Sequence, residues 1–587
     1  MKVKLAKFGG SSVANAERIK YVIDEIVLKD KEIKYVVFST FGKATKDDIK
    51  ITDLLEKIAF TYFYENNFLS DFFEKIKNKY INESKKLEIE TKDIEKSFIE
   101  LETIIKNKPL NYDKYYSAVV SQGERMFIQI PYLYLKNKKI KTAIAYPEKI
   151  GMITNSNYRN ASLLKESYSR VREAIDELNA DIVLIPGFYT IDDKNDFTIF
   201  RRGGSDFTGA LISNIMEVDL YLNYTDVDGI LRVDPTLFPE EERSKIEKIE
   251  IISYRELREL SYGGAKVIHS GTLKPLSEKN IPLVIKNTFN KDGSGTLVVK
   301  KKEKTYEVVK GIAMRDNIYF LNVEMENMDD EIGVGHFIEE ILYKKNISFT
   351  QVTSSIDSLS YAIPSPETID EAIKEEFDYK LKSIVKYLKT NDKFEFNDVY
   401  LLYPNCLIYI VGEGMQNTIG LAAKFASILA KNKINIITTY QAPEQINVIY
   451  GIKSEDGPKA VRALYYELFV NRDKNLSIES DNIILKLKNE IKEFNSKIIG
   501  EITDKINIIQ EEDMLIIKYQ NFFSPAEQEL CKKEETLKIL KELKEKIYKE
   551  TLEKFKNLIE KIINKKIQNI DISIDYKKFE KICIVKF

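Results

Sequence analysis

The chain has 587 residues, room for about three to five domains, and 43% of them are hydrophobic, which argues against a largely disordered protein. Its 90 basic and 92 acidic side chains leave a formal charge of −2, so nucleic-acid binding through bulk electrostatics is not expected. Three scattered cysteines (Cys406, Cys531, Cys583) and two histidines (His269, His336) supply neither a CxxC pair nor a clustered metal site, and no apolar run reaches the length of a signal peptide or a membrane span, so a cytoplasmic protein without membrane contact is expected.

In chain order, Val3 to Phe8 reads as a first strand. Asn15 to Val27 has helical spacing, with Ile19, Val22, Ile23 and Ile26 on one face. Tyr35 to Ser39 reads as a second strand covered on both sides. From Ile51 to about Pro109 the chain is helical, aromatic and lysine-rich, a helical subdomain set between sheet elements. Further strands are expected at Asp181–Ile185, Asp219–Tyr224 and Ile281–Ile285. Strands separated by helices favour a parallel sheet wrapped by helices.

Asn290 to Gly295 is a turn-rich boundary. Beyond it, two segments repeat a strand, helix, strand, strand order, at about Val308–Pro364 and Asp398–Phe469. Glu331-Ile332-Gly333 leads to Asn346-Ile347-Ser348 in the first, and Asn417-Thr418-Ile419-Gly420 leads to Ile434-Asn435-Ile436 in the second. After Lys474 the texture changes again. Ser524-Pro525-Ala526-Glu527 has the residues of a capped helix start. Leu540, Leu543, Ile547, Phe555, Leu558 and Ile562 keep helical spacing, and Met514–Ile517 and Ile582–Val585 read as strands, so a small α+β domain is expected in preference to a coiled coil.

Four loops carry residues suited to anion chemistry. Lys7-Phe8-Gly9-Gly10-Ser11-Ser12 joins a strand to a helix, where glycines let backbone N–H groups approach a phosphate and the helix start adds positive charge. Taken alone, it is equally a tight turn with a solvent-facing lysine. Arg201-Arg202-Gly203-Gly204-Ser205-Asp206 could grip an oxyanion through guanidinium forks, or be a turn with a solvated basic face. Thr225-Asp226-Val227-Asp228-Gly229 closes a strand, and Gly263-Gly264-Ala265-Lys266-Val267-Ile268-His269 supplies another lysine.

In this order and spacing the four loops resemble the signatures of the aspartate kinases, within the amino-acid kinase superfamily. The resemblance also takes in Ser39 with Gly42-Lys43-Ala44-Thr45, Gly123-Glu124-Arg125, Pro186-Gly187-Phe188, Ile252-Ser253-Tyr254 and Ile285-Lys286-Asn287-Thr288-Phe289, and covers about Met1 to Phe469. It implies an α/β fold with a central, mostly parallel sheet flanked by helices at 1–298. Two ferredoxin-like ACT modules at 299–394 and 395–470 would follow, then the small α+β domain at 474–587. The strand near Val308 would pair within the second module. Glu512-Asp513-Met514 and Phe523 to Glu527 resemble a small stand-alone bacterial domain of unknown function. The dinucleotide loop of a homoserine dehydrogenase-like extension is missing, which points to the monofunctional subgroup.

The implied chemistry is transfer of a phosphoryl group from ATP, carried with Mg²⁺, to the β-carboxylate of L-aspartate, the first step toward lysine, threonine and methionine. That carboxylate is already ionised at neutral pH, so no general base is needed. By resemblance, Lys7 and Asp206 are catalytic, with Asp206 orienting Lys7. Ser39, Thr45, Glu124, Arg202 and Ser205 hold aspartate. Lys7, Gly9, Gly10, Ser11, Thr225, Asp226 and Lys266 bind the nucleotide, and no protein metal cage is implied. The family pattern has glycine where Arg201 stands. Thr350 replaces the aspartate of one lysine-sensing subgroup, and Gln441 to Asn447 replaces a Gly/Ser-rich run, so lysine and threonine are both candidate effectors at the ACT modules. A homodimer or higher homo-oligomer is expected. The alternatives are an amino-acid kinase acting on glutamate or a carbamate, and an inactive amino-acid sensor.

Overall fold

Lys4–Phe8 (β1) and Ile33–Phe38 (β2) have apolar side chains at successive positions, and both are buried in the interior of one sheet. The computed structural model describes residues 2–45, 48, 50–200, 203–265, 268, 270–290, 293–300, 307–366, 371–416, 418–471, 487–488, 490–499, 505–511, 514–520, 523–563, 566–576 and 580–586. The chain divides into two units, Met1–Glu467 and Leu468–Phe587.

In the first unit the strands that follow are β3 (Thr142–Ile144), β4 (Ile153–Thr154), β5 (Ile182–Pro186), β6 (Tyr189–Asp192), β7 (Phe197–Ile199), β8 (Leu220–Thr225), β9 (Ile251–Ser253), β10 (Leu283–Asn287) and β11 (Thr296–Val299). Eight of them form a sheet of order β3-β5-β2-β1-β8-β10-β11-β9. Every neighbouring pair is parallel except β10 with β11. The chain leaves β1 for β2 on one side and later returns as β8 on the other. The carboxyl edge beside β1 is therefore a topological switch point, where open α/β sheets hold their ligands.

The helices Ile51–Glu65, Ser70–Lys86 and Lys92–Lys106 form the expected helical subdomain between β2 and β3. Its buried residues Leu55, Phe73, Tyr80 and Phe98 share one core with Phe8, Phe38, Phe41 and Phe127, so it is packed onto the sheet. Asn66, at φ 56°, ends the first of these helices in the left-handed conformation.

The two repeated segments build a single antiparallel sheet from β12 (Gly311–Glu324), β13 (Gln351–Ser354), β14 (Ser358–Pro364), β15 (Asp398–Val411), β16 (Thr438–Tyr440) and β17 (Asn447–Lys453), in the order β13-β14-β12-β15-β17-β16. The 14-residue strands β12 and β15 run through both halves. The start of β12, Gly311–Arg315, pairs with Leu407–Val411, while its end pairs with the start of β15, with register shifts around Asn317. The strand near Val308 thus belongs with the second half of the tandem.

The second unit has its own core and a four-stranded antiparallel sheet of β18 (Lys505–Glu511), β19 (Met514–Gln520), β20 (Asn569–Asp575) and β21 (Glu580–Lys586), in the order β18-β19-β21-β20. Ser524 caps the helix Pro525–Leu530 in a capping box with Glu527, and a 30-residue helix, Glu534–Ile563, follows. Among the described residues no helix is long and apolar enough to cross a membrane.

Candidate active site

At the end of β1 the backbone turns through Gly9 and Gly10 into a short 3₁₀ turn, and Asn15 caps the helix Ala16–Tyr21 by accepting the Arg18 N–H at 2.9 Å. The Gly9 N–H donates to the Tyr224 carbonyl at 3.3 Å and holds this loop over β8. Gly10 and Gly42 pass backbone against backbone. The Gly42 N–H donates to the Gly10 carbonyl at 3.0 Å, and a Cβ on Gly42 would lie 2.5 Å from the Gly10 carbonyl carbon. Only glycine allows the loops after β1 and β2 to approach so closely.

The Lys7 ammonium, on a residue 7% exposed, lies 2.5 Å from Asp206 Oδ1. Asp206 stands in the first turn of the helix Gly204–Met216, and the Asn223 amide of β8 donates to the same oxygen at 3.1 Å. A buried ammonium is tolerated when paired and hydrogen-bonded in this way. Lys7 is therefore held at the sheet edge beside the glycine loop, with its charge available to an incoming anion.

A group of opposite charge stands near the end of β2, where the Ser39 N–H donates to the Phe8 carbonyl at 3.1 Å. Glu124, in the helix Gln122–Phe127, is 2% exposed. The Ser39 hydroxyl donates to its Oε1 at 3.2 Å, and Oε2 has no hydrogen-bond partner among the described residues. Burial pushes this carboxyl up to about 7, with the Ser39 hydroxyl and the Thr40 backbone pulling the other way. A buried carboxylate oxygen without a donor is a ready acceptor for an ammonium group.

Ser205 is buried against Gly187, where a Cβ would lie 2.7 Å from the serine Cβ. Thr45 is exposed on the loop after β2, and its N–H and that of Ala44 donate to Asp48, holding that carboxyl below its usual range. Arg18 ties the two loops together, donating to the Ser11 carbonyl at 2.6 Å and the Ala44 carbonyl at 3.2 Å.

On the far side of β1, Thr225 ends β8 and its hydroxyl donates to Asp226 at 3.2 Å. Ser12 reaches across to Thr288 at 2.6 Å, whose N–H donates to the Thr225 carbonyl at 2.8 Å. Lys7, Gly9, Gly10, Ser11, Ser39, Glu124, Ser205, Asp206, Thr225 and Asp226 thus stand on elements that meet at the carboxyl edge of the sheet around β1. Arg202 and Lys266 lie outside the described residues, as do Arg201 and His269. Sequence reading passed over Asn223, although a polar residue inside the apolar strand Leu220–Thr225 is a signal for it. It also passed over Arg18 and Tyr80, which nothing local marks. Among the described residues no group of three His, Cys, Asp or Glu side chains could hold a metal ion.

Residues 2–287 match the amino acid kinase family, 408–468 an ACT domain, and 480–587 a family described as the Na⁺-translocating membrane potential-generating system (MpsC). Aspartokinase 3 of Bacillus subtilis is 32% identical over 470 residues, which is 80% of this chain and 99% of that protein. The crystal structure of the aspartate kinase of Clostridium acetobutylicum superposes with a TM-score of 0.65 at 30% identity, covering 80% of this chain and all of that one. Aspartokinase III of E. coli, solved in complex with aspartate and ADP, shares the fold with a TM-score of 0.63 at 22% identity, again over 80% of this chain.

Proposed function

The chain belongs to the aspartokinases and is an aspartate kinase, and from that premise we propose that it forms 4-phospho-L-aspartate from ATP and L-aspartate, as the first step toward lysine, threonine and methionine. The observation that carries this reading is the pairing of two unlike half-sites at one sheet edge. One is a buried ammonium beside a double-glycine loop, and the other is a buried carboxylate with an open oxygen.

In this reading Lys7 draws in the transferring phosphoryl group, whose charge grows on its peripheral oxygens, and the Gly9 and Gly10 loop lets phosphate approach the backbone. Asp206, fixed by Asn223, keeps the lysine side chain in place. Glu124 takes the aspartate ammonium, with Ser39, Thr45 and Ser205 along the same wall. Arg202 clamps the α-carboxylate, leaving the β-carboxylate to attack in line. Thr225, Asp226 and Lys266 serve the nucleotide. Bound with ATP, Mg²⁺ supplies charge neutralisation at the phosphate oxygens.

A hydroxamate-trapping assay with L-aspartate and Mg·ATP tests the reaction. Trapped acyl hydroxamate is expected with aspartate and not with glutamate, and no product at generous enzyme concentration rejects the reading. Lysine and threonine, alone and together, are expected to reduce turnover through the ACT sheet. We place a homodimer or higher homo-oligomer on the two edges of that sheet, β13 and β16, because unpaired strand edges invite pairing. A monomer by light scattering at micromolar concentration overturns that assignment.

A further inference from the structure

The helical subdomain between β2 and β3 touches both half-sites through the helix Ser70–Lys86. Ser70–Lys86 carries Tyr80 and Glu83 three residues apart, a spacing that sets both on one face. Tyr80 is fully buried, with its ring edge-on to Phe41 at 5.0 Å and to Phe98 at 5.6 Å. Its hydroxyl donates to the Gly123 carbonyl at 2.7 Å. A phenol has one proton to give, so the Thr40 hydroxyl, 2.8 Å away, is the donor in the second bond. Thr40 follows Ser39 and Gly123 precedes Glu124. One phenolic oxygen therefore joins the backbone and side chain next to both members of the Ser39–Glu124 pair.

Glu83 turns to the other half-site. It is buried, and its Oε2 accepts the Ala16 N–H at 2.7 Å, at the first residue of the helix behind the Gly9–Gly10 loop. Lys86 holds the opposite oxygen at 2.9 Å. An acidic side chain there satisfies a helix-start N–H that has no partner within its own helix.

We propose that Tyr80 and Glu83 are a pair of positioning residues, Tyr80 setting the aspartate wall and Glu83 the phosphate loop, so that the helix Ser70–Lys86 fixes the distance between the two half-sites. This rests on the functional reading above. Neither residue takes part in the chemistry. Each holds a segment that does, and loss of either bond leaves buried polar groups unsatisfied on one side of the site only.

The test is steady-state kinetics of the full chain with Tyr80→Phe, Thr40→Val, the double variant, and Glu83→Ala beside Glu83→Gln. Tyr80→Phe keeps the ring but loses both hydrogen bonds of the phenol, and is expected to raise the KM for aspartate at least about tenfold, with the KM for Mg·ATP within about twofold. Thr40→Val removes only the bond it shares with Tyr80 and should give a smaller rise, and the double variant should be no worse than Tyr80→Phe alone. Glu83→Ala is expected to show the reverse split, and Glu83→Gln, which keeps an acceptor oxygen, to recover most of it. Equal changes in both KM values, or an unchanged aspartate KM in Tyr80→Phe, overturn the proposal. Amide hydrogen exchange supplies a readout independent of turnover: Tyr80→Phe should speed exchange at Thr40 and at Gly123–Glu124 and leave the remaining sheet unaltered. Unchanged exchange there overturns the brace, whereas an inactive wild type with the exchange change present rejects only the functional reading.

Discussion

A carboxyl group as deeply buried as that of Glu124 costs free energy whenever it is ionised without a cation beside it. Its folded value of about 7 lies above the ordinary 4.5, so the folded chain holds this proton more tightly than the unfolded chain does. The stabilisation from the neutral form is complete below pH 4.5 and is lost as the pH rises through about 7. Glu124→Gln is therefore expected to melt higher than the wild type on the alkaline side of that window, by about 3 kcal/mol, with the gap closing toward acid. Thermal melts at several pH values check this. Substrate binding runs the other way, because an ammonium needs the ionised carboxylate. The KM for aspartate should climb as the pH falls below about 7, and Glu124→Gln should raise it above that pH, converge on the wild type toward acid and flatten the profile. A wild-type KM independent of pH across this window would remove Glu124 from the ammonium site.

Lys7 and Asp206 test the other half-site by an asymmetry. Lys7→Ala deletes the charge proposed to meet the phosphoryl group but leaves Asp206 in contact with Asn223. Turnover should fall by at least about a thousandfold, with the melting temperature little changed. Asp206→Ala leaves the lysine ammonium buried without its carboxylate and should lose about 3 kcal/mol of stability as well as activity. Denaturant titrations beside the hydroxamate assay separate the two. These residues were legible in the sequence because a lysine at a strand end and an aspartate after two glycines keep a fixed order along the chain. Asn223 and Tyr80 were not, since their importance comes from what the fold sets against them.

Among the elements, the loops after β1 and β2 depend most on their glycines. A methyl group on Gly42 would meet the Gly10 carbonyl carbon at 2.5 Å and the Ser11 nitrogen at 2.7 Å, all backbone that cannot swing aside. Gly42→Ala is expected to push the phosphate loop away from the aspartate wall and cut kcat/KM at least about a hundredfold, at a stability cost of about 1–3 kcal/mol. Wild-type kinetics in that variant would show that the loops need not touch. Local pattern foretold other elements well, among them the Ser524–Glu527 capping box. It did not show that β12 and β15 each serve both halves of one sheet. Arg315-Asp316-Asn317 is polar in the middle of β12, with Asp316 and Asn317 exposed, and pairing with β15 on both sides of the shift keeps it within the strand.

At the scale of the whole molecule, the regulatory sheet meets the kinase domain at the helix Tyr254–Tyr262. Glu256 accepts the Glu413 N–H at 2.9 Å, Ser253 donates to the Glu413 side chain at 2.7 Å, and the Asn447 amide donates to Glu259 at 2.6 Å. At the end of the helix, a Cβ on Gly263 would lie 2.7 Å from the Tyr409 ring, and Gly264, at φ +108°, faces the Met314 carbonyl. β12 and β15 thus bear directly on the helix Tyr254–Tyr262. A ligand that shifts the sheet can displace that helix only if it binds the two arrangements with different affinity, and the contacts at Glu413 and Asn447 are where the difference would be passed on. The double variant Ser253→Ala/Asn447→Ala removes two polar ties between the domains, together with the Ser253 cap of the helix, and no packed ring. Its kcat without effector should stay within about twofold of wild type, while the concentration of lysine or threonine giving half-inhibition should shift by at least about fivefold, or 1 kcal/mol of coupling. Inhibition curves on the two proteins decide it. Superimposable curves would mean that these hydrogen bonds fasten the domains without carrying the signal.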